Sequence, residues 1–172
     1  VDFKQFLTQQ NEILTNFWKK FGVDSLTGNW DYRESALFGY AAGRVIESFY
    51  NYNLDSTSKV VAQFHEWMTG TGLLYLKSVN VPVATVFTTH ATVIGRCIAG
   101  NHLPLYDGLL GYNADEKARQ FNVVARHSLE KKAAQYSDVF TTVSDITAQE
   151  SRQFLGRPVD VVTPNGFEPS FT

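Results

Sequence analysis

Apolar residues recur at helical spacing through the first third of the chain. Phe3, Phe6, Leu7, Leu14, Phe17, Trp18 and Phe21 stand three to four apart, with Asp2 ahead as an N-cap and Gly22 behind as a stop. This predicts an amphipathic helix over residues 3–21. The stretch from Gly22 to Tyr32 reads as a loop punctuated by Gly28-Asn29. A second helix is predicted from about Arg33 to Tyr52, with Leu37, Tyr40, Ala41, Val45 and Phe49 on one face.

The rhythm then shortens. Val60 to Phe64 is a short apolar strand closing on His65-Glu66-Trp67, and residues 68–78 return to helical spacing. Val83 to Thr89 is a second strand, ended at His90 and followed by a helical stretch over 91–99. Leu103 to Lys117 reads as loop, with Pro104, Gly108 and Gly111. One long helix is predicted from about Glu116 to Tyr136 on Phe121, Val124, Leu129 and Ala133. "DVFTTVS" is a third strand. Ser144 or Thr147 caps the next helix, and Thr147-x-x-Glu150 has the capping-box spacing. "VDVVTPNG" is a fourth strand, and "FEPSFT" reads as the start of a connection.

Strands alternating with helices predict an α/β fold: right-handed βαβ units around a Rossmann-like, mostly parallel sheet. The strands are continuous apolar runs, as expected where helices cover both sheet faces. There is no internal repeat or low-complexity linker, so residues 1–172 are expected to form a single domain. That domain is expected to be partial, because the chain opens at Val1 directly on a helical pattern.

Composition narrows the function classes. Of the 172 residues, 44% are hydrophobic and 14% aromatic, which is globular rather than disordered. A net charge of −2 offers no electrostatic footprint for nucleic acid or an anionic membrane, so neither is an expected partner. No apolar run is long enough to span a bilayer and no signal peptide stands at the start. The lone Cys97 excludes an internal disulfide and suits a reducing cytoplasm, the expected location.

Candidate chemistry gathers at the strand ends. In an open parallel sheet, ligands bind outside the carboxyl ends of the strands. The four strands end in His65-Glu66-Trp67, Thr88-Thr89-His90, Thr141-Thr142-Val143-Ser144 and Thr163-Pro164-Asn165-Gly166. If parallel, they set these polar groups along one rim. Each has a plain structural reading too: a backbone-satisfying histidine, a first-turn Glu66 favoured by the helix dipole, a core tryptophan, a turn at Asn165-Gly166. Their convergence is the functional signal. His90 precedes a helix whose positive end disfavours an imidazolium, so a neutral ring suited to hydrogen bonding a hydroxyl or carbonyl is expected.

Other chemistries lack their residues. Gly70-Thr71-Gly72 has Tyr75 where a dinucleotide fingerprint needs glycine, and reads instead as close helix packing. No phosphate loop of the G-x-x-x-x-G-K type and no G-x-S-x-G elbow occur. His65, His90, His102 and His127 lack metal-ligand spacing. "RHSLEKKAAQ" (126–135) reads as a mixed-charge helix face.

The stretches "FHEWMTGTGL", "VATVFTTHATVIGR", "ARHSLEKKAAQYSDVFTTVSDITAQE" and "DVVTPNG" closely resemble the glycogen synthases of the animal, fungal and some bacterial type, family 3 of the glycosyltransferases. "WDYRESALFGY" fits the same family upstream. The resemblance implies a two-lobed GT-B fold, of which this chain is the later part of the N-terminal, acceptor-side lobe. It implies retaining transfer of glucose from UDP-glucose to the 4-hydroxyl end of an α-1,4-glucan, with no cofactor beyond that donor. Its partners would be the nucleotide sugar and glycogen.

Residue by residue, the resemblance puts His90 beside the transferred glucose, where it stabilises charge developing at the anomeric carbon. Glu66, with His65, Trp67 and Thr89, lines the acceptor side. Asn165 lies at the cleft floor and Arg96 on the donor side. The family's Gly-rich loop, its diphosphate-binding arginine and lysine and its paired glutamates have no counterpart here, so the chain alone is expected to be inactive. A homo-oligomer is expected from an unpaired sheet edge. The alternatives are a non-catalytic glucan-binding or regulatory lobe, and a related GT-B sucrose or starch synthase.

Overall fold

The computed structural model describes residues 1–55 and 57–166, so "FEPSFT" lies outside the described residues. Seven α-helices, α1 (Gln10–Phe21), α2 (Trp30–Asn53), α3 (Glu66–Val79), α4 (Val93–Gly100), α5 (Ala114–Gln120), α6 (Val124–Tyr136) and α7 (Asp145–Leu155), accompany four strands among the described residues. The strands β1 (Val60–His65), β2 (Val83–Thr89), β3 (Val139–Thr142) and β4 (Val161–Val162) are all parallel, in the order β1-β2-β3-β4. This is the expected α/β architecture with a parallel sheet.

The first predicted helix is split. Lys4–Gln9 is a 3-10 segment whose Lys4 N–H donates to Asp2, and α1 follows, stopped by Gly22 at φ 71°. Trp18 faces solvent, contrary to expectation. The second helix starts three residues before the expected Arg33, because the Asn29 side chain accepts from Tyr32 N–H and caps it. Val45 and Phe49 are exposed. The buried face carries Leu37 and the small residues Ala36, Gly39, Ala41 and Gly43, whose glycines let α2 lie close on α3. An added Cβ at Gly72 would meet Gly39 O at 2.6 Å, and one at Gly43 would meet Gly72 O at 2.9 Å. Thr71 Oγ1 donates to Ala36 O at 2.6 Å across the same seam. Gly70-Thr71-Gly72 is therefore a packing motif, as its sequence context implies.

The single long helix expected from Glu116 to Tyr136 is two. Asn122 adopts φ 55° and breaks the run between α5 and α6, a conformation asparagine tolerates better than most residues. The main core lies between α2, α3, α6 and one sheet face. There Phe64, Phe87 and Phe140 stand in register on β1, β2 and β3, and the Phe87 and Phe140 rings stack at 5.8 Å. A smaller cluster of Ile94, Ile98, Leu105, Leu109, Ala118 and Phe154 ties α4 and α5 to α7.

Among the described residues, helices do not cover both sheet faces. Val61, Gln63 and His65 alternate with buried Ala62 and Phe64 on β1, and Val139 and Val161 of the same outer face are exposed. β4 is also shorter than its sequence pattern, ending at Val162 before Pro164.

Candidate functional site

Parallel pairing brings the four strand ends to one rim, as the sequence pattern requires. His65 pairs in register with Thr88, so His90 emerges two residues beyond β1's last residue on the neighbouring strand. His65 Nδ1 and His90 Nε2 lie 3.2 Å apart, one donating and the other accepting, which requires one ring to be unprotonated at its facing nitrogen. The rings are tilted by 31° with centroids 5.5 Å apart.

Glu66 is the hinge of this arrangement. It follows β1 directly and opens α3 at φ 61°, a left-handed conformation costing about 1–2 kcal/mol in a residue other than glycine. The turn aims its carboxylate across to β2, where Oε1 accepts from His90 N–H at 2.8 Å. The same oxygen lies 3.6 Å from Arg96 Nη2, on an exposed guanidinium one turn into α4. His65, Glu66, His90 and Arg96 are thus one connected cluster at the ends of β1 and β2.

The remaining expected residues are placed differently. Trp67 stacks on Tyr32 with centroids 6.0 Å apart and carries the Arg126 guanidinium 5.3 Å from its ring centre, so its stacking contacts lie within the chain. Thr89 is fully buried, and its hydroxyl donates to Glu130 at 3.0 Å. Its side chain is engaged by α6 beneath the rim. Asn165 is exposed beyond β4, two strands away from β2, on the order of 10 Å at ordinary strand spacing. It shares the rim but not the cluster.

Hydroxyls stiffen the rim from below. Gln63 Nε2 donates to Thr88 Oγ1 at 3.1 Å, Thr88 and Thr141 share a hydrogen bond at 2.8 Å, and Thr142 Oγ1 donates to Thr89 O at 2.7 Å.

Two further acids enter the site, and sequence reading assigned both elsewhere. Glu130, fully buried on α6, accepts from Thr89 Oγ1 and from Val93 N–H. Glu150, buried on α7, accepts from Thr92 N–H at 2.9 Å and from Thr92 Oγ1. It forms no capping box with Thr147, whose N–H is taken by Ser144, the true cap of α7. Burial pushes the Glu130 carboxyl up to about 8, with the charges of Glu66 and Glu150 adding to the rise and the bonds from Val93 and Thr89 opposing it. Burial also raises Glu150, against the pull of its Thr92 bonds and Arg96. One signal in the sequence pointed to Glu130: it stands between Leu129 and Ala133-Ala134 on the buried stripe of α6.

The N-terminus of α4 is therefore filled by carboxylates of the chain itself. No group of three or more His, Cys, Asp or Glu side chains suited to a metal ion occurs among the described residues. A cleft of about 490 Å³ lined by Asn11, Trp18, Asp24 and Arg33 includes none of the rim residues. No helix among the described residues is long and apolar enough to cross a membrane.

A sequence model described as "Glycogen synthase" matches residues 1–170. "Glycogen [starch] synthase" of Dictyostelium discoideum is 42% identical over 151 residues, covering 88% of this chain and 17% of that protein. "Glycogen [starch] synthase, liver" of Rattus norvegicus is 36% identical over 151 residues, covering 88% of this chain and 21% of its own length. "Glycogen [starch] synthase" of Neurospora crassa is 35% identical over 165 residues, covering 96% and 23%. The chain spans about a fifth of the length of these curated relatives. The family match over residues 1–170 shows that the chain belongs to the glycogen synthase family.

Proposed function

We propose that the full-length protein transfers glucose from UDP-glucose to the non-reducing 4-hydroxyl of an α-1,4-glucan with retention of configuration, in the cytoplasm. This chain supplies part of its acceptor-side lobe. The observation that carries the reading is the His65-Glu66-His90 cluster at the ends of β1 and β2, in a chain that matches the family over residues 1–170.

Each group has work suited to its position. In a retaining transfer the anomeric carbon becomes oxocarbenium-like as the diphosphate departs. His90, at the rim, presents ring and backbone to the glucose and stabilises that charge by aimed dipoles. His65 takes up the facing nitrogen of His90 and so sets its tautomer. Glu66 holds the His90 amide and puts negative charge on the acceptor side. Arg96, exposed and 3.6 Å from Glu66, is assigned to the donor side, and Asn165, exposed beyond β4, to the cleft floor. Leaving-group stabilisation needs cationic groups beyond Arg96, so this chain alone is expected to carry out no transfer.

The test follows label from UDP-glucose and from ADP-glucose into glycogen with the full-length protein. Incorporation from UDP-glucose ahead of ADP-glucose supports the reading. Preference for ADP-glucose assigns a starch-synthase-like donor. Glucan binding with no incorporation from either makes the protein a non-catalytic glucan-binding lobe.

A further inference from the structure

We propose that Glu130 and Glu150 are positioning residues for the transfer reaction, holding from two different helices the loop that presents His90 to the sugar. The proposal rests on the reading of His90 given above.

The loop between β2 and α4 is short, and sheet pairing ends at Thr89. From there its donors go to side chains of distant elements. His90 N–H donates to Glu66 of α3, Thr92 N–H to Glu150 of α7 and Val93 N–H to Glu130 of α6. The Thr89 and Thr92 hydroxyls donate to Glu130 and Glu150. His90 is therefore bracketed in sequence by two residues, Thr89 and Thr92, each tied to a buried acid. Gly95 completes the seat: a Cβ there would collide with the Glu150 carboxylate, so the backbone of α4 rests directly on it.

Burying two carboxyl groups without a cation in the same enclosure costs far more than burying leucines of similar size. Arg96, whose charge acts on Glu150, is exposed and reaches toward Glu66. What the two acids gain is concentrated on four donors of one loop. A helix N-terminus needs partners for its first N–H groups, but the Thr92 hydroxyl already caps Gly95 N–H. Two acids from separate helices go beyond capping and fix the loop in three dimensions. Ionised, Glu130 accepts from both Thr89 Oγ1 and Val93 N–H; as the neutral acid that burial favours it would donate to Thr89 Oγ1, whose own proton turns to Ala91 O at 3.4 Å, while still accepting from Val93 N–H. A glutamine amide offers the same pair of bonds.

The test compares steady-state kinetics of the full-length protein with those of its Glu130→Leu, Glu130→Gln, Glu150→Leu, Thr92→Val and His90→Ala variants, with thermal unfolding as the folding control. The leucine variants that fold are expected to lose at least about 10-fold in kcat with KM for UDP-glucose within about 3-fold. Glu130→Gln is expected to restore kcat to within about 3-fold of wild type, a rescue that core filling would not produce. Thr92→Val removes the hydroxyl from Glu150 while leaving the carboxyl group's seat filled. It is expected to lower kcat in the same way, and it decides the matter should the leucine variants not fold. Folded variants with wild-type kcat, beside a His90→Ala variant that has lost activity, overturn this proposal alone. A His90→Ala variant that keeps its rate overturns the site reading and this proposal together.

Discussion

Replacing Gly72 by alanine tests how α2 and α3 are held together. The new Cβ would stand 2.6 Å from Gly39 O and 2.8 Å from the Phe64 ring, where ordinary contact begins at 3.4 Å. One neighbour is the backbone of α2 and the other an aromatic ring of the core, so neither can swing aside. The helices must part by about 0.8 Å, which falls in the overpacking range of about 1–3 kcal/mol. With two hard contacts the upper end applies, and the helix propensity of alanine returns about 1 kcal/mol. The net expectation is a loss of about 2 kcal/mol, or a fall in Tm of about 4–8 °C for a domain of this size. Urea unfolding of the 172-residue chain, followed by tryptophan fluorescence and far-UV circular dichroism, reads the change as a lower midpoint at constant m. Gly100→Ala, with no atom within 4 Å of its Cβ, is the control and is expected to leave stability within about 0.5 kcal/mol or raise it. A Gly72→Ala chain as stable as wild type would refute the close-packed seam.

Two buried groups give the chain opposite pH dependences. Glu130, raised from 4.5 to about 8, stabilises the fold fully below pH 4.5, and that contribution is lost as pH rises to 8. Glu130→Gln should flatten this decline in urea midpoints measured from pH 5 to 8.5; an unchanged slope would contradict the assignment. His127 is buried with neither ring nitrogen hydrogen bonded, since Asp115 at 3.4 Å is not aligned for a bond. Burial, then the Lys131 charge, lowers it to about 4, against the pull of Asp115. Its contribution is present above pH 6.5 and lost as pH falls toward 4, on the order of 3 kcal/mol. His127→Phe should remove that part of the acid sensitivity; a variant as acid-sensitive as wild type would sink the idea.

The strand ends were legible because a parallel α/β pattern needs only alternation and turn signals. β2 runs from Val83 to Thr89, the bounds its apolar run predicts, and parallel pairing alone brings His65-Glu66 beside His90. Local patterns could not show what depends on distant elements. Glu130 sits in a charged stretch, "RHSLEKKAAQ", and a charge in a helix reads as a solvated face until the partner loop is in place. Glu150 matched a local capping box but bonds Thr92, 58 residues away. Val45 and Phe49 fit the helical period of α2, yet its glycines turn the small-residue face inward against α3. The turn at Asn122 was hidden by apolar residues continuing in helical step on both sides. Thr89 looked like a rim residue from its position at a strand end, but its side chain points to the helical face and is consumed by Glu130.

The most direct measurement is glucose transfer from labelled UDP-glucose into glycogen by the full-length protein, wild type beside His90→Ala, both shown to be folded. If His90 stabilises the charge developing at the anomeric carbon, the variant loses at least about 100-fold in kcat, a loss of about 2.7 kcal/mol of transition-state stabilisation. A variant that transfers glucose at the wild-type rate would make the His65–His90 pair a structural contact and place the sugar site elsewhere.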